Sequence, residues 1–223
     1  MLKTLGAAAL KDIIGMLKKE EQFFTFDAVR RQASMEALLP SYPHSFVDYL
    51  KEVSVDEFMK DLKQALDVFE GFYGSESKLL EALAIYIAHD LGKALDQLNS
   101  DFFFMDYAER LKRLNDLIPG ASSLHRFSVE LFANSTYQEV AQMAFEALTQ
   151  IGDVSTIVIQ TPVELEASKR IMIREHFLEK HSICFPEFQI NPQIIGGMRI
   201  LVNGEVEDHS WMAKIQSLTN ITS

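Results

Sequence analysis

Apolar residues recur at helical spacing over the first two thirds of the chain. Leu2, Ala9, Ile13 and Met16 fall on one face of a first predicted helix, and a second is expected over Asp27 to Leu38. Pro40 and Pro43 then break the pattern, because proline lacks an N–H and clashes with the preceding turn. Ser54-Val55-Asp56-Glu57 has the form of a capping box, followed by the stripe Phe58, Leu62, Leu66 and Phe69. Gly71 and Gly74 mark its end, and Ser75 is placed to cap the next helix, with Leu80, Leu83, Ile87, Leu91 and Leu98. Tyr107, Leu111, Leu114 and Ile118 predict another helix, closed by Pro119-Gly120, and Leu124, Phe127 and Leu131 a short one. Thr136-Tyr137-Gln138-Glu139 is a second capping box, ahead of Val140, Ala144, Ala147, Leu148 and Ile151. Such stripes are bundle interior before they are anything else.

At Gly152 the period changes. Val154 to Ile159 is rich in β-branched residues and reads as a strand. Thr161-Pro162-Val163-Glu164 has the signals of a helix start, for a helix reaching about His181 whose apolar residues spread around the wheel. Ile183 to Ile190 reads as a second strand, with Pro186 assigning it to an edge or a bulge. Met198–Val202 and Glu205–Asp208 flank Asn203-Gly204, a strong signal for a type I′ hairpin. Ser210 can cap a last helix with Trp211, Ile215 and Leu218 on one face. The predicted fold class is α+β: an all-helical N-terminal bundle, then a small β-α-β-hairpin-α domain. The boundaries expected are a helical extension over 1–50, a bundle over 51–152 and the small domain over 153–223. No internal repeat or low-complexity linker is evident.

The formal charge of −11 disfavours non-specific nucleic-acid binding, which needs Lys and Arg against phosphates. No apolar run reaches the ~20 residues of a membrane span, and Lys11 and Asp12 interrupt the apolar start too early for a signal peptide. Membrane association would therefore go through partners. The single cysteine, Cys184, excludes an internal disulfide and fits a reducing compartment; in Ile183-Cys184-Phe185 it reads as a small hydrophobe.

One doublet could carry chemistry. Ala88-His89-Asp90-Leu91-Gly92-Lys93 resembles the His-Asp-x-Gly-Lys segment of HD-domain metal-dependent phosphohydrolases, which are also all-helical. That chemistry needs an upstream His, for which His44 is a candidate, and a downstream Asp, for which Asp96, Asp101 or Asp106 could serve. The alternative is that His89 and Asp90 lie on the polar face of an ordinary helix. His176 and His181 stand five apart rather than the four of a helical ligand pair, and His125 and His209 have no evident partners. No phosphate loop, nucleophile elbow or Cys/His cluster is present, so no catalytic, cofactor or metal residue is assigned.

Residues 154–221 carry a second resemblance. Gln160-Thr161-Pro162-Val163, Ile195-Gly196-Gly197, the strand Met198–Val202, the turn Asn203-Gly204 and Asp208-His209-Ser210 stand in the order of the C-terminal domain of the F-type ATP synthase delta subunit family, called the oligomycin sensitivity-conferring protein in mitochondria. Pro162, Gly196, Gly197, Gly204, Asp208 and Ser210 are its motif positions here, all structural in kind. The stripes at Tyr107–Ile118, Leu124–Leu131 and Val140–Ile151 look similar to the later helices of the family's six-helix bundle. The family's bundle is shorter than the stretch ahead of the first strand here, so the first fifty residues are read as an extension of unassigned role. The resemblance implies a non-catalytic, cofactor-free peripheral-stalk subunit. Its bundle would grip the N-terminal helices of alpha subunits and its small domain the C-terminal region of the b subunit, on the cytoplasmic face of a bacterial inner membrane or the organelle equivalent. A generic acidic adaptor, unrelated to ATP synthase, is the other reading of the same fold.

Overall fold

The computed structural model of the chain describes residues 1–72, 76–181 and 183–221, with side chains described as far as Gln216. Up to Thr149 every described element is helical. The order is α1 (Leu2–Lys19), a 3-10 turn (Phe23–Thr25), α2 (Ala28–Leu38), α3 (His44–Glu52), α4 (Val55–Phe69) and α5 (Lys78–Ile85). α5 runs through a π-helical stretch (Tyr86–Leu91) into α6 (Gly92–Gln97); α7 (Ser100–Phe104), α8 (Tyr107–Leu117), α9 (Ser123–Asn134) and α10 (Tyr137–Thr149) follow. Then come β1 (Ile157–Thr161), α11 (Ala167–Lys180), β2 (Glu187–Ile190), β3 (Arg199–Val202), β4 (Glu205–Asp208) and α12 (Trp211–Ile221). This is the expected α+β class, and none of the described helices is long and apolar enough to cross a membrane.

The local signals account for most helix ends. Both capping boxes form: Ser54 with Glu57, and Thr136 with Glu139. The expected stop at Gly74 and cap at Ser75 lie outside the described residues; Ser77 caps α5 by accepting from the Leu80 N–H at 3.3 Å. The predicted stripes line one continuous core holding Leu2, Ile13, Phe58, Leu80, Leu83, Leu114, Leu124 and Leu148. Two stripe residues turn outward instead, Leu66 at 48% exposure and Tyr107 at 47%. For Leu66 the reason is Asp61, which takes an inward position on α4. Its carboxylate accepts from the Tyr49 hydroxyl at 2.9 Å and the Lys78 N–H at 3.2 Å. A buried acid with such partners rotates the helix away from the face that hydrophobicity alone selects.

The small domain is a four-stranded sheet in the order β2-β1-β3-β4, with β1 parallel to β2 and antiparallel to β3. Ile157 pairs with Val202, and Ile159 with Ile200 and Phe188, so these side chains share one face, which packs with Phe177 of α11. Asn203 and Gly204 sit at φ 51° and 87°, as a type I′ turn requires. The second strand, expected from Ile183, begins only at Glu187, with an isolated bridge of Cys184 to Ser155 ahead of it; Pro186, which cannot donate, stands just before β2, an edge strand as it suggests. The outer side of β2 is not left open, because the Tyr137 hydroxyl accepts from the Phe188 N–H at 3.0 Å.

One expected helix start is wrong. Thr161 ends β1 and α11 begins at Ala167, with Glu166 at its cap. The Thr161 hydroxyl donates to the Val163 carbonyl at 2.8 Å, closing a tight turn over Pro162. Glu164, expected in the first helical turn, instead accepts hydrogen bonds from the Ser100 N–H and hydroxyl of the bundle. A tertiary partner here outcompetes a local cap.

Candidate functional site

The motif residues of the small domain meet in one packed junction. Gly196 and Gly197 have φ of 67° and 76°, a region that costs an L side chain. A Cβ on Gly196 would lie 2.8 Å from the Trp211 ring, and one on Gly197 would overlap the His209 carbonyl. The His209 N–H donates to the Met198 carbonyl at 2.9 Å and the Trp211 N–H to the Gly196 carbonyl at 3.3 Å. Asp208 closes the junction. It accepts from the Ser210 N–H at 2.9 Å and from Arg199 at 2.9 and 3.2 Å, while the Ser210 hydroxyl accepts from the Ala213 N–H at 3.3 Å. The bonds from Ser210, with those from Arg199, hold the Asp208 carboxyl down at about 2. Gly204 supplies only the turn, and Pro162 sits in the β1–α11 connection without capping a helix. Trp211 and Ile215, expected on one face of the last helix, are 62% and 56% exposed; the side chain of Leu218 lies outside the described residues.

A second constellation ties the small domain to the bundle. Arg174 is completely buried and donates to both carboxylate oxygens of Asp96, from Nε at 2.5 Å and Nη2 at 3.0 Å. Nη2 also donates to the Pro186 carbonyl at 3.0 Å, and the guanidinium carbon lies 4.4 Å from the centre of the Phe185 ring. Nη1 has no hydrogen-bond partner among the described residues and lies against Gly92, where a Cβ would be 2.6 Å away. One turn earlier Arg170 donates to the Leu98 carbonyl at 2.9 Å, and Glu164 reaches Ser100. Arg170, Arg174 and Phe177 are the buried face of α11. Sequence reasoning missed it because two of its three members are charged, and an apolar search reads them as solvent-facing. The spacing of four between the two arginines was the one signal available.

The HD-like doublet does not gather ligands. His89 Nδ1 lies 3.2 Å from Asp90 Oδ1, and both side chains are about two-fifths exposed. His44 lines the same recess, but Asp96 is held by Arg174 and Asp106 caps α8 by accepting from the Glu109 N–H. Asp101 is an exposed residue of α7. Among the described residues no three His, Cys, Asp or Glu side chains stand where they could hold a metal ion together. Cys184 is buried and its thiol is pushed up to about 11 by that burial, so it stays protonated and inert at neutral pH. His181 meets Ser155 at 3.1 Å, His176 and His209 are exposed, and His125 is buried in α9 with its protonation disfavoured by burial.

These features define a two-part α+β protein whose polar side chains cap helices and join the parts. Neither a family model nor a curated protein matches the chain.

Proposed function

We propose that the chain is a non-catalytic connector, a peripheral-stalk subunit of the F-type ATP synthase delta class. It would link alpha subunits of the catalytic head to the b subunit and resist rotor torque. The observation that carries this reading is the junction at Gly196-Gly197. The glycine pair and the Asp-x-Ser helix start, ten or more residues apart and joined by the hairpin, depend sterically on one another. A coincidental string of weak motifs has no reason to pack as one piece. The joint at Arg174 supports a load-carrying role in kind, since a buried bidentate ion pair fixes the geometry of the groups it joins. Membrane association would be peripheral, through the complex.

The test is affinity capture of the tagged, full-length chain from detergent-solubilised membranes of its own source. Recovery of alpha and b subunits is the expected result. Intact chain that recovers neither refutes the proposal.

A further inference from the structure

Two stretches of the helical half repeat one another in detail, around a shared Phe-Phe-x-x-Asp-x-x-x-Arg in the sequence. In the first, Asp27 caps α2 and Arg31 follows one turn later; in the second, Asp106 caps α8 and Arg110 occupies the same place, each 79 positions on. Arg31 donates through Nε to Phe26, through Nη2 to Phe24 and through Nη1 to Val53 at 2.6 Å, with Leu50 and Lys51 at 3.2 and 3.3 Å, all carbonyls, the last three at or near the end of α3. Arg110 donates through Nε to Met105, through Nη2 to Phe103 and through Nη1 to Ala133. Both guanidiniums face paired aromatics, Phe23-Phe24 and Phe102-Phe103. Over residues 22–41 and 101–120 the sequence of buried, half-buried and exposed positions agrees at all but two of twenty places.

The match extends to both sides. The buried residues of α1 are Leu2, Leu5, Gly6, Ala9, Leu10, Ile13 and Met16; 78 positions on stand Leu80, Leu83, Ala84, Ile87, Ala88, Leu91 and Ala94, every one buried. Downstream, the two capping boxes, Ser54–Glu57 and Thr136–Glu139, correspond, as do the buried pairs Phe58 with Val140 and Ala65 with Ala147. The contacts are exchanged: α1 packs along α9, and α5 packs along α3. Reciprocal pairing of this kind is what a two-fold axis produces. A recess of about 530 Å³ is lined by the proline turns of both stretches, through Leu39, Pro43, Ile118 and Pro119.

We infer that the helical half is an internal duplication. Residues 2–69 and 80–151 are two copies of one unit, packed about a pseudo-two-fold axis, so the first fifty residues belong to a copy rather than to an appended extension. The expectation of no internal repeat gives way because the identities are scattered: Phe23, Phe24, Asp27, Arg31, Leu38 and Pro40 recur as Phe102, Phe103, Asp106, Arg110, Leu117 and Pro119, and caps, burial and arginine geometry carry the equivalence between them. The HD-like doublet then has a structural origin. Asp90 is the counterpart of Asp12, whose carboxylate accepts from the Ser123 and Leu124 N–H groups at the start of α9, both at 2.8 Å. Asp90 lines a recess with His44 and Ser45, the first residues of α3.

The copies differ where the small domain attaches. Gly92 admits the Arg174 guanidinium; its counterpart is Ile14, whose branched side chain is 38% exposed. The second copy therefore holds the small domain, because only there does a missing Cβ leave room for the arginine. This inference is independent of the proposed function.

The test is a graft in the full chain, judged by thermal unfolding. Residues 23–38 are replaced by the equally long sequence of 102–117, and in a comparator by that of 55–70. The first graft is expected to melt cooperatively with Tm lowered by at most about 6 °C, and the comparator to lose the cooperative transition. Equal tolerance of both, or failure of both, overturns the duplication. For the attachment, Gly92→Ile is expected to raise amide exchange in β1 and β2 about tenfold or more, while Ile14→Ala leaves it unchanged. No rise with Gly92→Ile overturns the assignment of the docking copy.

Discussion

The bundle and the small domain are stabilised by different means. The bundle buries rows of Leu, Phe and Ala from nearly every helix in one core. Among the described residues the small domain's own core lies around Ile157, Ile159, Phe177 and Cys184, and it presents to its neighbour a buried charged face beside Phe185. Apolar burial is non-directional and tolerates small shifts. A bidentate ion pair does not, because its members regain their lost hydration only at one geometry. The difference teaches that the small domain is oriented by a polar joint set beside the apolar contact of Phe185 with the bundle core, and it can be broken in graded ways.

The largest expected effect is at the joint. Asp96→Ala leaves Arg174 buried without its carboxylate and should cost about 3–5 kcal/mol. Urea unfolding followed by amide exchange should show β1 and β2 opening ahead of the bundle. Replacing both partners, Asp96→Leu with Arg174→Met, should recover most of the loss. A single transition in which both parts open together would count against the joint as the weak point.

Next comes Leu83→Ala in the bundle core, expected to cost about 2–5 kcal/mol through lost burial and a residual cavity. Here calorimetry should show the whole bundle weakening in one step, without preferential opening of the sheet. Gly197→Ala should cost about 2 kcal/mol, from the left-handed φ and the clash with the His209 carbonyl. Trp211 fluorescence should report that change more strongly than far-ultraviolet circular dichroism does.

The smallest effect is one of pH. The Asp208 carboxyl is held below its ordinary value, so the folded junction binds fewer protons than the unfolded chain. Its stabilisation is full above pH 3.8 and fades as pH falls toward about 2. An acid titration of Trp211 fluorescence should show a step in that window, absent in Asp208→Asn; an identical step in the variant would assign the transition elsewhere.

Much of this was legible before the structure. Capping boxes, proline breaks and the Asn203-Gly204 turn are local signals, and they placed most elements, though not α3 (His44–Glu52) or α7 (Ser100–Phe104). The helix start expected at Thr161-Pro162 was misplaced because Glu164 caps Ser100 across the domain boundary. Leu66 was taken for core because Asp61, the residue that turned inward, reads as polar. The motif residues Gly196, Gly197, Asp208 and Ser210 were found as a string, but their convergence was not visible. The joint was missed altogether, since no periodicity marks Arg174, Asp96 and Gly92 as partners.

By itself the sequence determined the class of fold, the helical and extended periods, the hairpin and the caps, because each depends on residues within a few positions of one another. Tertiary structure alone decided which charged residues are buried and where the small domain sits. Those facts rest on contacts between residues far apart in the chain. The value of a side chain there is set by the partner it meets.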